Sequence, residues 1–154
     1  MRKNTLILTI IAVMMFCFMP IAQAQSDKDT VTAQDVKKET KEFLSTLKQY
    51  TADQRDQAVK VADQALKKLD ERIDELESRV DNNWDKMTQA AHQKARANLK
   101  ALRKQRNELA EWYGSFKNSS AGAWEHMKKG FSDAYQAISD SWEKAKNEYD
   151  TDNK

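Results

Sequence analysis

The clearest pattern in the chain is an apolar seam whose members follow one another in steps of three and four residues. It consists of Ala62, Leu66, Leu69, Ile73, Leu76 and Val80. That spacing places the residues on one narrow face of an α-helix, as in coiled coils. A weaker apolar pattern precedes it from Val36 to Leu47. The two together predict one long first helix over residues 34–80.

Two further amphipathic helices follow. The second is predicted over residues 84–113, after a turn at 81–83 in which Asn83 caps it. The third is predicted over residues 121–149, after a break at 114–120 that contains Gly114 and several Asn and Ser residues. Glycine ends helices, whereas Asn and Ser begin them.

Apolar and aromatic residues also recur every 11 positions across these helices: Val80, Ala91, Leu102, Tyr113, Trp124 and Tyr135. This period corresponds to about 3.67 residues per turn and does not sustain a long left-handed supercoil. It is typical of helices that lie on lipid surfaces, and short helices folded back on one another tolerate it equally well. We favour the second interpretation because an apolar helical stripe usually faces a core.

Composition supports an all-helical chain. The single proline, Pro20, lies near the N-terminus, and only three glycines are present. The remaining chain is rich in residues that lose little side-chain freedom in a helix. We therefore expect an all-α fold, an antiparallel helical bundle or hairpin of three long amphipathic helices.

The N-terminal residues have the order of a cleavable secretory signal. Arg2 and Lys3 precede an apolar run over residues 6–19, and Ala22 and Ala24 form a small-x-small cleavage site. The run is shorter than the roughly 20 residues that a membrane span needs. We expect a signal peptide over residues 1–24, a flexible leader over 25–33, a helical domain over 34–149 and a frayed tail over 150–154. The exported chain would be periplasmic or secreted.

Charge is balanced overall and segregated along the chain. Without Arg2 and Lys3, the 26 basic residues fall to 24, equal to the 24 acidic ones. A neutral chain has no general attraction for nucleic acid, so we exclude that partner. Residues 83–118 carry 8 bases and 3 acids, whereas acids outnumber bases on either side. A basic middle helix between acidic neighbours suits a folded-back arrangement in which the helices form ion pairs. Alternatively, the exposed charges only keep the helices solvated, since surface ion pairs contribute about 0–1 kcal/mol each.

Sites for chemistry are scarce. His92 and His126 stand 34 positions apart, unlike any short zinc motif. Cys17, the one cysteine, lies inside the predicted signal. Neither a phosphate-binding glycine loop nor a nucleophile motif is present. We expect no enzymatic activity, no cofactor, no metal and no small-molecule substrate.

The most informative side chains form an aromatic band on the predicted third helix. This candidate interaction band comprises Trp124, Met127, Phe131, Tyr135, Ile138, Trp142 and Tyr149. It is wider than a single seam requires, and its Trp and Tyr rings have polar edges that suit a lipid interface or a partner surface. Alternatively, the band is the core that grips two other helices at once, which is the interpretation we favour.

Arg106 lies on the apolar face of the second helix, between Leu102 and Leu109. A buried guanidinium without a partner is costly. We expect it to extend to the surface or to reach an acid on the first or third helix.

The C-terminal half resembles a family of small bacterial coiled-coil stress-response proteins, some of them described as apolipoprotein-like. The resemblance covers roughly residues 62–148 and rests on SAGAWE at 120–125, MKKGF at 127–131 and SWEKA at 141–145. It implies a non-enzymatic helical protein linked to stress and brings no catalytic residues. A weaker similarity, YTADQ at 50–54, is to the Leu-Thr-x-x-Gln motif of Spy/CpxP-like periplasmic chaperones.

These observations predict an exported helical protein that binds other proteins, itself or the envelope surface in stress protection. A lipid-surface protein of amphipathic helices is the first alternative, and a Spy-like chaperone is the second. The two leading hypotheses differ in whether the aromatic band is buried or exposed in the folded chain.

Overall fold

The computed structural model describes residues 31–152, and this part of the chain is helical without any β-strand. The predicted signal peptide and most of the predicted leader lie outside the described residues, as do residues 153 and 154. Four helices are present in this range: α1 (Ala33–Gln49), α2 (Arg55–Asn82), α3 (Gln89–Lys117) and α4 (Trp124–Asp152). Short 3₁₀ turns, Ala52–Gln54 and Trp84–Lys86, precede α2 and α3.

The predicted first helix was wrong as a continuous element, because the chain breaks at Tyr50. Tyr50 adopts an extended conformation (φ −75°, ψ 131°) and ends α1. The next turn is stabilised locally, since the side chain of Gln54 accepts a hydrogen bond from the backbone N–H of Thr51 at 3.2 Å. A Thr followed three residues later by Gln is a helix-start signal that an apolar periodicity does not reveal.

The later helix boundaries also differ from those predicted. Asn83 ends α2, and it is Thr88 that caps α3 by accepting a hydrogen bond from the backbone N–H of Ala91 at 3.2 Å. At its other end α3 continues through Gly114 to Lys117, because Phe116 extends the buried heptad series of Leu102 and Leu109. The turn between the two helices then occupies residues 118–123, and α4 begins at Trp124 rather than at residue 121.

The predicted frayed tail is helical as far as Asp152. Asp150 accepts hydrogen bonds from Arg79 of α2 at 3.1 Å and from Lys146 at 2.5 Å. Asp152 forms an ion pair with Lys94 of α3 at 3.3 Å. These carboxylates fasten the last turn to two neighbouring helices, which explains why the helix extends beyond Tyr149.

Helices that are consecutive in the chain run in opposite directions. Asp70 of α2 contacts Arg106 of α3, whereas Glu77, further along α2, contacts Arg103, which comes earlier in α3. The α3–α4 contacts descend in the same way, from Phe116 near Trp124 at one end to Lys94 near Asp152 at the other. Arg72 of α2 donates a hydrogen bond to Glu39 of α1 at 2.6 Å, so the two helices on either side of the turn contact each other.

All four helices contribute to one apolar core. Its most enclosed large side chains, each less than 2% exposed, are Trp124, Phe116, Phe131, Leu47, Leu69, Leu102, Leu109, Ile138 and Val36. The α2 seam predicted from sequence is buried from Ala62 to Val80. The protein therefore has the apolar interior that an independently stable helical domain requires.

A glycine permits the close approach of α3 and α4. A methyl group added at Gly130 would overlap the ring of Trp112, whereas one added at Gly114 would meet no neighbouring atom within 4 Å. Gly130 thus acts as a notch in α4 that receives an indole ring from α3.

We expect alanine to have opposite effects at these two helical glycines. Gly114→Ala should raise the free energy of unfolding by up to about 1 kcal/mol, because alanine is the better helix former. Gly130→Ala should lower it by about 1–3 kcal/mol, because Trp112 must leave its position. Thermal unfolding followed by circular dichroism measures both. Equal gains in the two variants would show that Trp112 does not pack into the notch.

Candidate interaction surface

The aromatic band of α4 lies in the interior of the protein. Six of its seven members are buried, with Phe131 and Ile138 completely inaccessible, and Met127 is half-buried. In this structure the band therefore packs against the protein's own helices and presents little apolar area to a lipid or a partner. Other side chains form the outward surface of the helices.

The polar edges of the band donate hydrogen bonds to the backbone of α2. Tyr135, Trp142 and Tyr149 donate to the carbonyl oxygens of Ala65, Arg72 and Arg79, at 3.4, 3.0 and 2.9 Å respectively. Donors and acceptors both advance by seven residues, so α2 and α4 run parallel and in fixed register. Each carbonyl oxygen has a second lone pair that can accept such a bond in addition to its helical one. We call these three contacts the heptad ladder.

The same face of α4 also holds the end of α1. Lys128, seven residues before Tyr135, donates to the carbonyl of Tyr50 at 2.9 Å, and the indole N–H of Trp124 reaches the same oxygen at 3.1 Å. Glu125 pairs with the Lys128 ammonium at 2.9 Å. A cation at the C-terminal end of a helix is favourable because unpaired carbonyls accumulate there. These contacts stabilise the break after α1 that the sequence pattern did not predict.

Phe131 is the centre of an aromatic cluster. Its ring centroid lies 5.1 Å from that of Phe116, 6.0 Å from Tyr113, 6.2 Å from Tyr135 and 6.3 Å from Phe43. Such distances are typical of favourable ring pairs. This one side chain therefore joins α1, α3 and α4.

The expectation for Arg106 is confirmed, because its acidic partner lies within residues 34–80, which were predicted as the first helix. Its guanidinium forms a two-pronged contact with Asp70 of α2, in which Nη2 lies 2.8 Å from Oδ2. The hydrogen bond with Asp70 raises the pKa of Arg106. Paired in this way, the charge can remain at the edge of the apolar face without the cost of an isolated buried cation.

The basic helix α3 forms ion pairs with the acidic helices beside it, as its charge balance predicted. Arg103 contacts Glu77 of α2 at 2.8 Å, and Lys94 contacts Asp152 of α4. The side chain of Asn98 adds a hydrogen bond to Glu148 at 2.7 Å. These contacts occupy the flanks of α3 and leave its outermost face to other charges.

Two strips of opposite charge run along the outer faces of α2 and α3. The acidic strip consists of the exposed residues Glu71, Asp74 and Asp81 of α2, and the basic strip consists of the exposed residues Arg96, Lys100 and Lys104 of α3. Within residues 31–152, neither Glu71 nor Asp74 forms a salt bridge, and Lys104 has only a long intrahelical one, 3.6 Å from Glu108.

A groove of about 590 Å³ lies where the C-terminal end of α2 meets the N-terminal half of α3, and members of both strips line it. Val80, Leu99 and Trp84 provide its apolar part, and Asp81, Arg96, Lys100 and Arg103 are among the charged residues around it. The half-buried indole of Trp84 stacks on His92 at 3.9 Å and lies beneath the guanidinium of Arg96 at 4.6 Å. The apolar pattern placed Trp84 at the start of the apolar face of the second helix, whereas the structure places it in the 3₁₀ turn that precedes α3.

The two histidines lie apart and have different surroundings. A ring nitrogen of His92 lies 2.7 Å from the carbonyl oxygen of Trp84, so this ring ties the turn to α3. His126 is exposed on α4, near the edge of Trp112. The described part of the chain contains no group of three or more side chains that could hold a metal ion.

A second groove, of about 250 Å³, lies between α1 and α2. Phe43, Val61, Ala65 and Tyr135 form its apolar surface, and Glu39, Glu42 and Lys68 are the charged residues around it. The rings of Phe43 and Tyr135 pack against each other at this groove, with centroids 4.6 Å apart.

Within residues 31–152, no helix is both long enough and apolar enough to cross a membrane. No protein-family model, curated protein or solved structure matches the chain.

We expect Phe131→Ala to destabilise the protein by about 3–5 kcal/mol, the usual cost of emptying a buried phenylalanine site. The matched variant Met127→Ala, on the same helix but half-exposed, should cost about 1 kcal/mol. Urea unfolding followed by circular dichroism provides the comparison. Similar losses in both variants would contradict the central position of Phe131.

Burial of Tyr135 should make stability sensitive to alkaline pH. Desolvation raises the pKa of Tyr135 from 10.0 to about 12. Its contribution to stability is therefore complete below pH 10 and is lost as the pH rises towards about 12, because unfolding then releases a proton. Tyr135→Phe lacks this group, so the stability difference between parent and variant should shrink over that range. Parallel stability curves from pH 9 to 12 would contradict the assignment.

Proposed function

We propose that this chain is an exported, non-enzymatic antiparallel helical bundle that binds another protein through the outer face of α2 and α3. The observation that supports this proposal is the separation of charge on that face. The acidic strip, the basic strip and the groove with Trp84 lie side by side. An apolar centre flanked by charged residues is typical of protein interfaces, and Trp and Arg are enriched among their strongest contacts.

Burial of the aromatic band also favours a protein partner over lipid. Insertion into a membrane surface scales with the apolar area that a helix can offer. The Trp, Tyr and Phe rings that could supply this area are already packed against α1, α2 and α3. Lipid binding through them would require the helices to separate first.

The cellular setting of the proposal comes from sequence. The order of charge, apolar run and cleavage site at residues 1–24 supports export. The resemblance to coiled-coil stress-response proteins supports a protective role in the cell envelope, where binding rather than catalysis would be the activity.

Electrostatic adsorption to an anionic membrane is the second candidate, and the basic strip favours it. Residues 89–107 contain six basic residues and no acidic one. Each basic residue near an anionic surface contributes about 1 kcal/mol. Adsorption of this kind would leave the core closed, so a change in tryptophan emission on addition of vesicles would come from Trp84 beside the basic strip and not from the buried Trp124 and Trp142.

Site-specific photo-crosslinking in cells tests the proposal. A photoreactive residue at Asn107, on the outer face of α3, should give protein adducts at several times the yield of one at Asn147, the matched exposed asparagine on α4. Replacing Lys100 and Lys104 by Glu should reduce the Asn107 adducts. Equal yields at the two asparagines would remove the α2–α3 face as the binding surface, and adducts with lipid alone would favour the membrane candidate.

A further inference from the structure

The acidic and basic strips stand at the same height along neighbouring helices. The pairs Asp70–Arg106 and Glu77–Arg103 fix the relative positions of α2 and α3. Asp74 lies between Asp70 and Glu77, and Lys104 lies between Arg103 and Arg106. Asp74 and Lys104 are therefore level with each other on adjacent ridges, and both are exposed.

This arrangement is complementary to itself. If a second copy is turned about a two-fold axis parallel to the helices, its α2 faces α3 of the first copy and its α3 faces α2. Heights along the axis do not change in this operation, so Asp74 of each copy stands level with Lys104 on the facing helix of the other. A two-fold axis perpendicular to the helices within the interface would instead place α2 against α2, with acid facing acid.

We infer that the α2–α3 face binds a second copy of this chain, in a dimer whose two-fold axis runs parallel to the helices. The inference rests on the proposed function and names its partner. Contact between identical patches is the usual form of two-fold association. Charge complementarity sets the register, and like charges in the alternative register oppose it.

The groove beside Trp84 supplies the apolar part of this interface. Val80, Leu99 and Trp84 line it, and the side chain of Trp84 is half-buried. In the dimer the two grooves face each other across the axis, so each Trp84 can cover apolar surface of the other copy. Hot spots of this kind, an aromatic ring inside a charged rim, provide much of the energy of small interfaces.

A second copy fits this face better than an anionic membrane does. A membrane surface is large and uniform in charge, so it would meet the acidic strip of α2 together with the basic strip of α3. Glu71 and Asp74 would be repelled by the headgroups that attract Lys100 and Lys104. Only a surface with alternating charge satisfies both strips.

Sedimentation velocity of the protein in the form that the cell produces tests the inference, with two complementary variants. The first, Glu71→Lys with Asp74→Lys, makes both strips basic. The second, Lys100→Glu with Lys104→Glu, makes both strips acidic. We expect the parent to dimerise in low salt, each variant alone to dimerise at least about a hundredfold more weakly, and salt to weaken the parent dimer.

The decisive measurements are those in which dimerisation should be restored. An equimolar mixture of the two variants should form a heterodimer, and a chain that carries all four substitutions should form a homodimer again. Recovery would show that the variants fold and that α2 faces α3. The control, Lys37→Glu with Lys41→Glu, has the same spacing on the exposed face of α1 and should dimerise like the parent.

A parent that stays monomeric at all concentrations, or a dimer that both reversals leave unchanged, would overturn the inference. Its failure is distinguishable from that of the proposed function. An adduct between two copies has the mass of two chains. If the parent is monomeric while the photoreactive residue at position 107 still gives protein adducts of larger mass, the face binds a different protein. If Asn107 and Asn147 give equal yields, the face itself is excluded.

Discussion

The register of α4 against α2 is the constraint on which the rest of the structure depends. Tyr135, Trp142 and Tyr149 each place a polar ring edge on a backbone carbonyl of α2. A buried hydroxyl or indole N–H without a partner costs free energy, so only a register that supplies acceptors is compatible with these residues in the core. Once that register is set, the apolar sides of the same rings form the surface against which α1 and α3 pack.

Periodicity in the sequence predicted most of the helical content and the buried seam of α2, because a narrow apolar stripe on a helix is stable when it faces the core. For Arg106 it left open whether the guanidinium extends to the surface or meets an acid, and the structure pairs it with Asp70. It missed the break at Tyr50, since no glycine or proline marks that position. The break is stabilised by Lys128 and Trp124, which are more than 70 residues away in the chain. Interactions at such separation cannot be read from local spacing.

The aromatic band shows a related limit of sequence patterns. Polar-edged rings along a wide stripe suit either an interface with water or a set of internal acceptors, and composition does not distinguish the two. The seven-residue spacing of Tyr135, Trp142 and Tyr149 was visible in the sequence. Its meaning depended on a partner helix whose carbonyls repeat at the same interval, and main-chain acceptors leave no trace in side-chain identity.

The way α1 is attached has a consequence for how the protein opens. Its contacts with α4 centre on the aromatic cluster and on the Tyr50 carbonyl, whereas a groove of about 250 Å³ separates part of it from α2. The heptad ladder does not involve α1 at all. Displacement of α1 would break the Glu39–Arg72 contact with α2 and the Phe43 and Tyr50 contacts with α4, but none of the three hydrogen bonds of the ladder. The ladder thus fixes α2 and α4 to each other through backbone carbonyls, whereas α1 is held to them by side-chain contacts and by the carbonyl of Tyr50.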